Sequence, residues 1–343
     1  MKLFITGGAG FIGSNLVRHL LQSGSEYTIV NFDALTYAGN IKNLDDVIDN
    51  PNHTFIKGNI CDAVAVDQAM KGADAVLHLA AESHVDRSID NASEFLETNV
   101  LGTGVLLEAA RKHNIKKFVH VSTDEVYGSI AEGAFNEQSP VQPNSPYSAS
   151  KASSDFLALS YYATYGLPVV VTRCSNNFGP FQFPEKLIPL FITNADADKD
   201  LPICGDGKNV RDWIHVDDHC EALRLVLEKG ESGEVYNIGG GNERTNLEIT
   251  GKVLRRLSKP ESLIKFIEDR PGHDRRYAID SSKIEEKLGW KSSHSFDEAL
   301  ESTIAWYLDN RDWWLDIKSG RYADFYDKLY SERLSKSGKG HTS

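Results

Sequence analysis

Tyr147 and Lys151 stand four apart in the run Pro146-Tyr147-Ser148-Ala149-Ser150-Lys151, which opens a helical pattern continuing through Phe156 and Leu159. That spacing puts both on one helix face, where the ammonium would lower the phenol's pKa and also reach a cofactor hydroxyl. A phenolate so made would take a hydroxyl proton near neutral pH. Any helix can carry Tyr and Lys at this spacing by chance, so the pair has weight only beside a cofactor site. A second group of chemical residues, Thr123-Asp124-Glu125, follows the strand-like run ending at Val121-Ser122. Two adjacent carboxyls usually mean a solvated turn. Next to a residue that removes a hydroxyl proton, they would instead serve as acid and base on neighbouring carbons.

A cofactor site is present in the pattern. Leu3 to Thr6 reads as a strand, and Gly7-Gly8-Ala9-Gly10-Phe11-Ile12-Gly13 follows it into a helical stretch. Glycines at such a turn let backbone N–H groups and the helix N-terminus approach a pyrophosphate. The next strand ends at Asp33, twenty positions beyond Gly13, where a carboxylate would accept hydrogen bonds from both hydroxyls of an adenosine ribose. A carboxylate there repels a 2′-phosphate, which favours NAD over NADP. The bland alternative is a glycine-rich turn with a solvated Asp33, and it does not account for the spacing.

These residues need a scaffold that brings strand ends to one edge. Strand-like runs at Leu3–Thr6, Thr28–Asp33, Thr54–Ile56, Ala75–Leu79, Phe118–Ser122 and Val169–Arg173 alternate with helical stretches such as Gly13–Gln22 and Glu94–His113. That rhythm predicts an α/β fold, a Rossmann-type doubly wound parallel sheet with helices on both faces. After Arg173 the rhythm breaks at Gly179, Pro180, Pro184, Pro189, Pro202, Gly205 and Gly207. A smaller mixed α/β C-terminal substrate domain is expected there, with strands at Trp213–Val216 and Val235–Ile238. Its helices are expected near Asp217–Glu228, Leu247–Arg256 and Phe296–Leu308. The boundaries predicted are 1–175 for the NAD-binding domain, 176–330 for the substrate domain with some chain returning to the first, and 331–343 for a flexible tail. The cleft between the two domains is the expected site.

Composition narrows the partners. Lys and Arg number 37 against 49 Asp and Glu among 343 residues, and the net charge of −12 repels nucleic acid and anionic lipid surfaces alike. No run reaches the ~18 to 20 apolar residues of a membrane span, and the N-terminus lacks a signal-peptide pattern, so a cytoplasmic location is expected. Cys61, Cys174, Cys204 and Cys220 are scattered without a CxxC pair, which reads as reduced structural thiols. His215 and His219 are four apart, yet Trp213–Val216 reads as a strand leading into a helix capped near Asp217, so no metal site is expected. Trp306, Trp313 and Trp314 are expected to anchor the C-terminal segment, a sugar platform being the alternative.

Taken together these motifs resemble the extended short-chain dehydrogenase/reductase family, in its nucleotide-sugar 4,6-dehydratase branch. The likeness extends through Asp33-Ala34-Leu35-Thr36-Tyr37-Ala38-Gly39-Asn40, Leu79-Ala80-Ala81-Glu82-Ser83-His84-Val85-Asp86, Cys174-Ser175-Asn176-Asn177, Pro184-Glu185-Lys186-Leu187, Arg211-Asp212-Trp213 and Asp269-Arg270-Pro271-Gly272-His273. The Thr-Asp-Glu run marks the dehydratase branch, whereas the glycine loop and Tyr/Lys pair mark only the superfamily. The resemblance implies that Tyr147 takes the sugar 4-hydroxyl proton, with Lys151 on the nicotinamide ribose and Thr123 on the 4-oxygen. It makes Glu125 the base at C5 and Asp124 the acid at the departing 6-hydroxyl.

For NAD it implies Gly7, Gly10, Phe11, Ile12 and Gly13 at the pyrophosphate, with Asp33, Ala34, Leu35 and Thr36 after the second strand. Asn59, Ile60, Leu79, Ala80 and Ala81 follow, then Ser83, Thr98 and Asn177, besides Tyr147 and Lys151. Asn59 stands where relatives often carry Asp. The substrate, expected to be dTDP-glucose, would meet Ser83, Thr123, Asn176, Lys186 and Leu187. It would also meet Pro202, Ile203 and Cys204, the last where an aromatic residue is frequent, together with Arg211, Asn246 and the loop Asp269, Arg270, Pro271, Gly272 and His273. A homodimer through an intersubunit four-helix bundle is likewise implied. Two rivals remain: a 4-epimerase, which has no use for an acid and base at C5 and C6, and a non-catalytic NAD-sensing module, which has no use for Tyr147 or Lys151.

Overall fold

The computed structural model describes residues 1–24, 26–319 and 334. Its strands in chain order are β1 (Lys2–Thr6), β2 (Thr28–Asp33), β3 (His53–Lys57), β4 (Ala75–His78), β5 (Lys117–Thr123), β6 (Val169–Cys174), β7 (Asn176–Phe178), β8 (Leu201–Cys204), β9 (Val210–His215), β10 (Val235–Ile238), β11 (Glu243–Thr245) and β12 (Ile264–Ile267). Seven of them form one parallel sheet in the order β10-β6-β5-β4-β1-β2-β3. Leu3 pairs with Ile29 on one side and Ala75 on the other. The winding therefore reverses between β1 and β4, which opens a crevice beyond the carboxyl ends of those strands.

The strand runs are apolar because both faces of the sheet are covered. Leu3, Ile5 and Leu77 pack on one face with the helices Phe11–Gln22 and Val216–Lys229; Phe4, Val76 and Phe118 pack on the other. Each expected strand up to β6 is present, with ends shifted by a residue or so. Val235–Ile238 forms at the expected residues but extends the large sheet beside β6 instead of joining the second lobe.

The second lobe holds a three-stranded sheet, β11-β9-β7, and a two-stranded one, β12-β8. The helices Leu187–Asp196, Asn246–Arg256 and Phe296–Asp309 surround them. Leu187–Asp196 lies where the prolines had argued against a helix. Pro189 falls in its first turn, where a missing N–H costs nothing. Trp306, Trp313 and Trp314 belong to this lobe's apolar cluster, in the anchoring role. The expected tail at 331–343 lies outside the described residues except for Leu334, as does 320–330. Among the described residues no helix is long and apolar enough to cross a membrane.

Beyond β5 a single 3-10 turn, Asp124–Tyr127, carries the acid pair. Thr123 caps it, its hydroxyl accepting from the Glu125 N–H at 3.2 Å. At the other end the buried Tyr127 hydroxyl donates to Asn237 Oδ1 on β10 at 2.9 Å, so the returning strand fixes the turn. Tyr127→Phe removes that bond and is expected to cost about 1 to 2 kcal/mol of stability, read as a lowered urea midpoint.

Candidate active site

The catalytic helix, Pro146–Tyr165, starts where local chemistry dictates. Ser145 and Ser148 form a capping box and Pro146 supplies the first turn, while Gly166 ends the helix in the left-handed region at φ 69°. Tyr147 is buried, its ring edge-on to Phe95 at 6.2 Å, with the Thr123 hydroxyl as hydrogen-bond partner of the phenol. Lys151 donates its Nζ to the Val121 carbonyl at 2.8 Å.

Here the structure corrects one expectation. The phenol's pKa is raised well above its usual value, because burial dominates and the Glu125 carboxylate adds to it. Burial instead lowers Lys151, to about 8. Lys151 is not among the groups that lower the phenol; the Thr123 hydroxyl bond is what opposes the rise.

The adjacent acids sit in different environments. Asp124 is 2% exposed, and its Oδ2 has no hydrogen-bond partner. Burial, then the neighbouring Glu125 and Asp212, push its pKa well up. Glu125 is also raised by burial, but Arg270, Lys186 and Arg211 oppose that rise. Both carboxyls are thus shifted upward by burial, with three cations opposing the rise at Glu125 and Arg211 alone among them opposing it at Asp124.

Glu125 lies where two cavities meet. The larger, about 300 Å³, runs along the sheet crevice, and the smaller, about 160 Å³, lies in the second lobe; Glu125, Asn176, Glu185 and Lys186 line both. Gly7, Gly10, Phe11, Ile12 and Gly13 border the larger cavity at one end, and Asp33, Ala34, Thr36, Asn59 and Ile60 lie along it. Leu79, Ala80, Ala81, Ser83, Thr98 and Asn177 complete that wall, with Thr123, Tyr147 and Lys151 at the reacting end. Leu35 does not line the cavity; its N–H donates to Asp33 Oδ1 at 2.8 Å. Leu187, Pro202, Ile203, Cys204, Arg211 and Asn246 surround the smaller cavity with Arg270 and His273. Asp124 is behind the wall rather than on it. Asp269, Pro271 and Gly272 also lie off the cavity; Asp269 orients its loop by pairing with His273 Nδ1 at 2.6 Å.

The larger cavity fits a dinucleotide. Gly7 has φ 75°, and a Cβ there would lie 2.6 Å from the Ala80 nitrogen, so only glycine permits the approach of the two chain segments. Gly10 caps the helix Phe11–Gln22 without a side-chain bond, leaving its first N–H groups for an anion. Asp33 accepts from the Ala9 N–H at 2.9 Å and from Leu35, and each oxygen keeps a lone pair for a hydroxyl.

Arg211 and Arg270 are not free surface groups. Arg211 donates to the Asp274 carbonyl at 2.9 Å and Arg270 to Asp86 at 3.0 Å, which presents both guanidinium groups toward the smaller cavity. Lys186 donates to the Ser83 carbonyl across the lobes at 2.8 Å. His215 and His219 diverge as the capped-helix reading requires: His215 caps the helix Val216–Lys229, and His219 Nδ1 pairs with Asn177 Oδ1 at 2.8 Å. His215, Asp217 and His294 do bring ligand-type atoms within 4.8 Å. His215 Nδ1 meets the Asp217 N–H at 3.4 Å and His294 Nδ1 pairs with Asp218 at 2.9 Å, while His215 Nε2 is buried without a hydrogen-bond partner among the described residues.

Sequence reasoning passed over Tyr37, Glu82 and Glu185, which stood in quoted motifs without an assigned role. Glu82 borders the larger cavity beside a π-helical turn, Leu96–Gly102, within the helical stretch Ser93–Lys112. Asn99 of that turn binds both backbone groups of Glu82 and the Ser150 hydroxyl, at 2.9 to 3.0 Å. Nothing in the periodicity signals such a turn.

Sheet order, glycine loop and the Tyr147/Lys151 helix together define an extended short-chain dehydrogenase/reductase. Comparison with known proteins narrows this. The family model described as GDP-mannose 4,6 dehydratase matches residues 4–303. A dTDP-glucose 4,6-dehydratase of Streptomyces niveus is 52% identical over 93% of this chain and 96% of its own. The crystal structure of the dTDP-glucose 4,6-dehydratase DesIV from Streptomyces venezuelae, with NAD bound, is 52% identical, has a TM-score of 0.92, and is matched over 93% of this chain and 100% of that one. A UDP-glucose 4-epimerase from Thermotoga maritima shares the fold more distantly, at 31% identity and TM-score 0.84 over 91% of this chain and 100% of that one. The chain belongs to the nucleotide-sugar 4,6-dehydratase family.

Burial raises Glu82 from the ordinary 4.5 to about 7. Between those values the folded protein holds a proton that the unfolded chain has lost, so stability falls as pH rises through that window. Glu82→Gln is expected to flatten the slope by up to about one proton, measured as melting temperature at pH values spanning the window.

Proposed function

We propose that the protein is a lyase converting dTDP-glucose to dTDP-4-keto-6-deoxyglucose and water. The observation that carries this reading is the acid pair on the turn after β5: Glu125 lines both cavities with Lys186, Arg211 and Arg270 acting on it, and Asp124 is buried behind that wall with one carboxyl oxygen unpartnered. An epimerase acting at C4 alone has no work for such a pair. NAD, when bound, accepts hydride from C4 and returns it to C6.

Tyr147 receives the proton of the 4-hydroxyl, and Thr123 holds the 4-oxygen. Oxidation comes first because the C5 hydrogen is only very weakly acidic until a carbonyl stands next to it. Glu125 then takes the C5 proton, and Asp124 protonates the 6-hydroxyl, which leaves as water. The proton held by Glu125 returns to C5 when C6 is reduced. Lys186, Arg211 and Arg270 face the smaller cavity as donors to the diphosphate, where charge-assisted bonds are shorter and stronger than neutral ones.

The same reading assigns a cytoplasmic setting, which fits four cysteines none of which forms a disulfide, and a homodimer. Leu96 and Leu101 on the Ser93–Lys112 stretch are 53% and 66% exposed; Phe156 and Tyr165 on the catalytic helix are 56% and 53% exposed. These two helical segments pack together, so a partner's matching pair would complete a four-helix bundle and cover the apolar side chains. Leu101→Glu combined with Phe156→Glu is expected to give monomers by sedimentation.

Purified protein given dTDP-glucose or UDP-glucose separately is expected to form the 4-keto-6-deoxy sugar from the first in preference. An intact 6-hydroxyl with inversion at C4 would move the assignment to an epimerase. Glu125→Gln is expected to slow dehydration by about 100-fold or more while C4 oxidation survives, seen as accumulating reduced nicotinamide absorbance. Dehydration at the wild-type rate would remove Glu125 from the reaction.

A further inference from the structure

We propose that Tyr37 is a positioning residue that latches the segment Ala34–Asn40 across the dinucleotide crevice, so that NAD is retained from one turnover to the next. This rests on the reading of the larger cavity as the NAD site. A cofactor that ends each cycle in its starting oxidation state has no chemical reason to leave, and the structure supplies a cover to keep it.

Both ends of the segment are tied to the cofactor-binding elements. At its start Leu35 is held in the left-handed region at φ 53°, a conformation uncommon for leucine, by its N–H bond to Asp33. At its end the Asn40 N–H donates to the Ala9 carbonyl at 3.0 Å, and Asn43 Nδ2 donates to the same carbonyl at 2.9 Å. Gly39 folds back so closely that a Cβ there would lie 2.8 Å from Asp33 Oδ1. The loop between these anchors contributes Thr36, Tyr37, Ala38 and Gly39 to the cavity wall.

Tyr37 carries the loop to the segment around Phe183 and Glu185. Its ring meets Phe183 edge-on at 5.7 Å and lies under the Arg87 guanidinium at 4.0 Å. Its hydroxyl approaches Ser83 and the Glu185 carboxylate. Arg87 is held in place by Glu185 at 3.3 Å, and Glu185 is itself buried. Phe183 and Glu185 immediately precede Lys186, which binds Ser83. The latch therefore joins the loop after β2 to the segment that separates the two cavities. A bound dinucleotide beneath this cover leaves only after the Tyr37 contacts part.

The test uses full-length wild type, Tyr37→Phe, Tyr37→Ala and Phe183→Ala, passed through gel filtration without added nucleotide and assayed for acid-released NAD. Wild type and Tyr37→Phe, which keeps the ring contacts, are expected to retain NAD. Tyr37→Ala and Phe183→Ala are expected to lose it at least tenfold faster. Added NAD should restore Tyr37→Ala to within about threefold of the wild-type kcat, with a raised KM for NAD. Wild-type retention by Tyr37→Ala overturns the latch, as does a loss of turnover that NAD does not restore. Wild type that neither carries NAD nor turns over with it supplied overturns the proposed function, and the latch with it.

Discussion

The proposed chemistry depends on two neighbouring carboxyls that are both desolvated but meet different charges. Asp124 and Glu125 are joined in sequence, yet one has an oxygen buried without a partner and the other faces three cations. Unpaired burial disfavours charge, which pushes the Asp124 pKa up. The cations come from three separate parts of the second lobe: Lys186 before the helix Leu187–Asp196, Arg211 on β9 and Arg270 in the loop after β12. That lobe does more than cover a sugar. Its cations oppose the burial-driven rise at Glu125, one residue from Asp124.

Holding this asymmetry requires a rigid frame, and the parallel sheet provides it. The turn carrying the acids leaves β5, the crevice opens between β1 and β4, and β10 returns from the far end of the chain to anchor Tyr127. Behind the catalytic helix, Asp155 is buried with Arg173 at 2.9 Å and His120 at 3.3 Å. A carboxylate inside the protein is tolerated only with such partners. One turn beyond Lys151 on the same helix, it opposes the desolvation that pulls the lysine down.

Much of this was legible in the sequence because buried parallel strands must be apolar runs, and a pyrophosphate turn must be glycine-rich. Val169 to Arg173 could be read as a strand with no knowledge of its neighbours. The helix Leu187–Asp196 was hidden since Pro189 is a breaker everywhere except the first turn, and the pattern does not say which turn it occupies. The π turn around Asn99 and the partnership of Tyr37 with Phe183 and Arg87 depend on contacts between distant segments. The direction of the Tyr147 shift escaped for a related reason: spacing along a helix reports which side chains share a face, not how dry that face is or that Lys151 turns to the Val121 carbonyl.

The same comparison of costs separates dehydration from epimerisation. A buried carboxyl oxygen without a hydrogen bond is unfavourable by about 1 to 3 kcal/mol, and burial is the largest cause of the raised pKa of Asp124. A protein that only oxidised and reduced C4 would gain stability by replacing such a group with one that packs or hydrogen-bonds. Here the oxygen meets no hydrogen-bond partner among the described residues, and it sits behind the wall on which Glu125 lines both cavities. Stability given up at that atom makes sense as proton-donating capacity held for the bond that has to break.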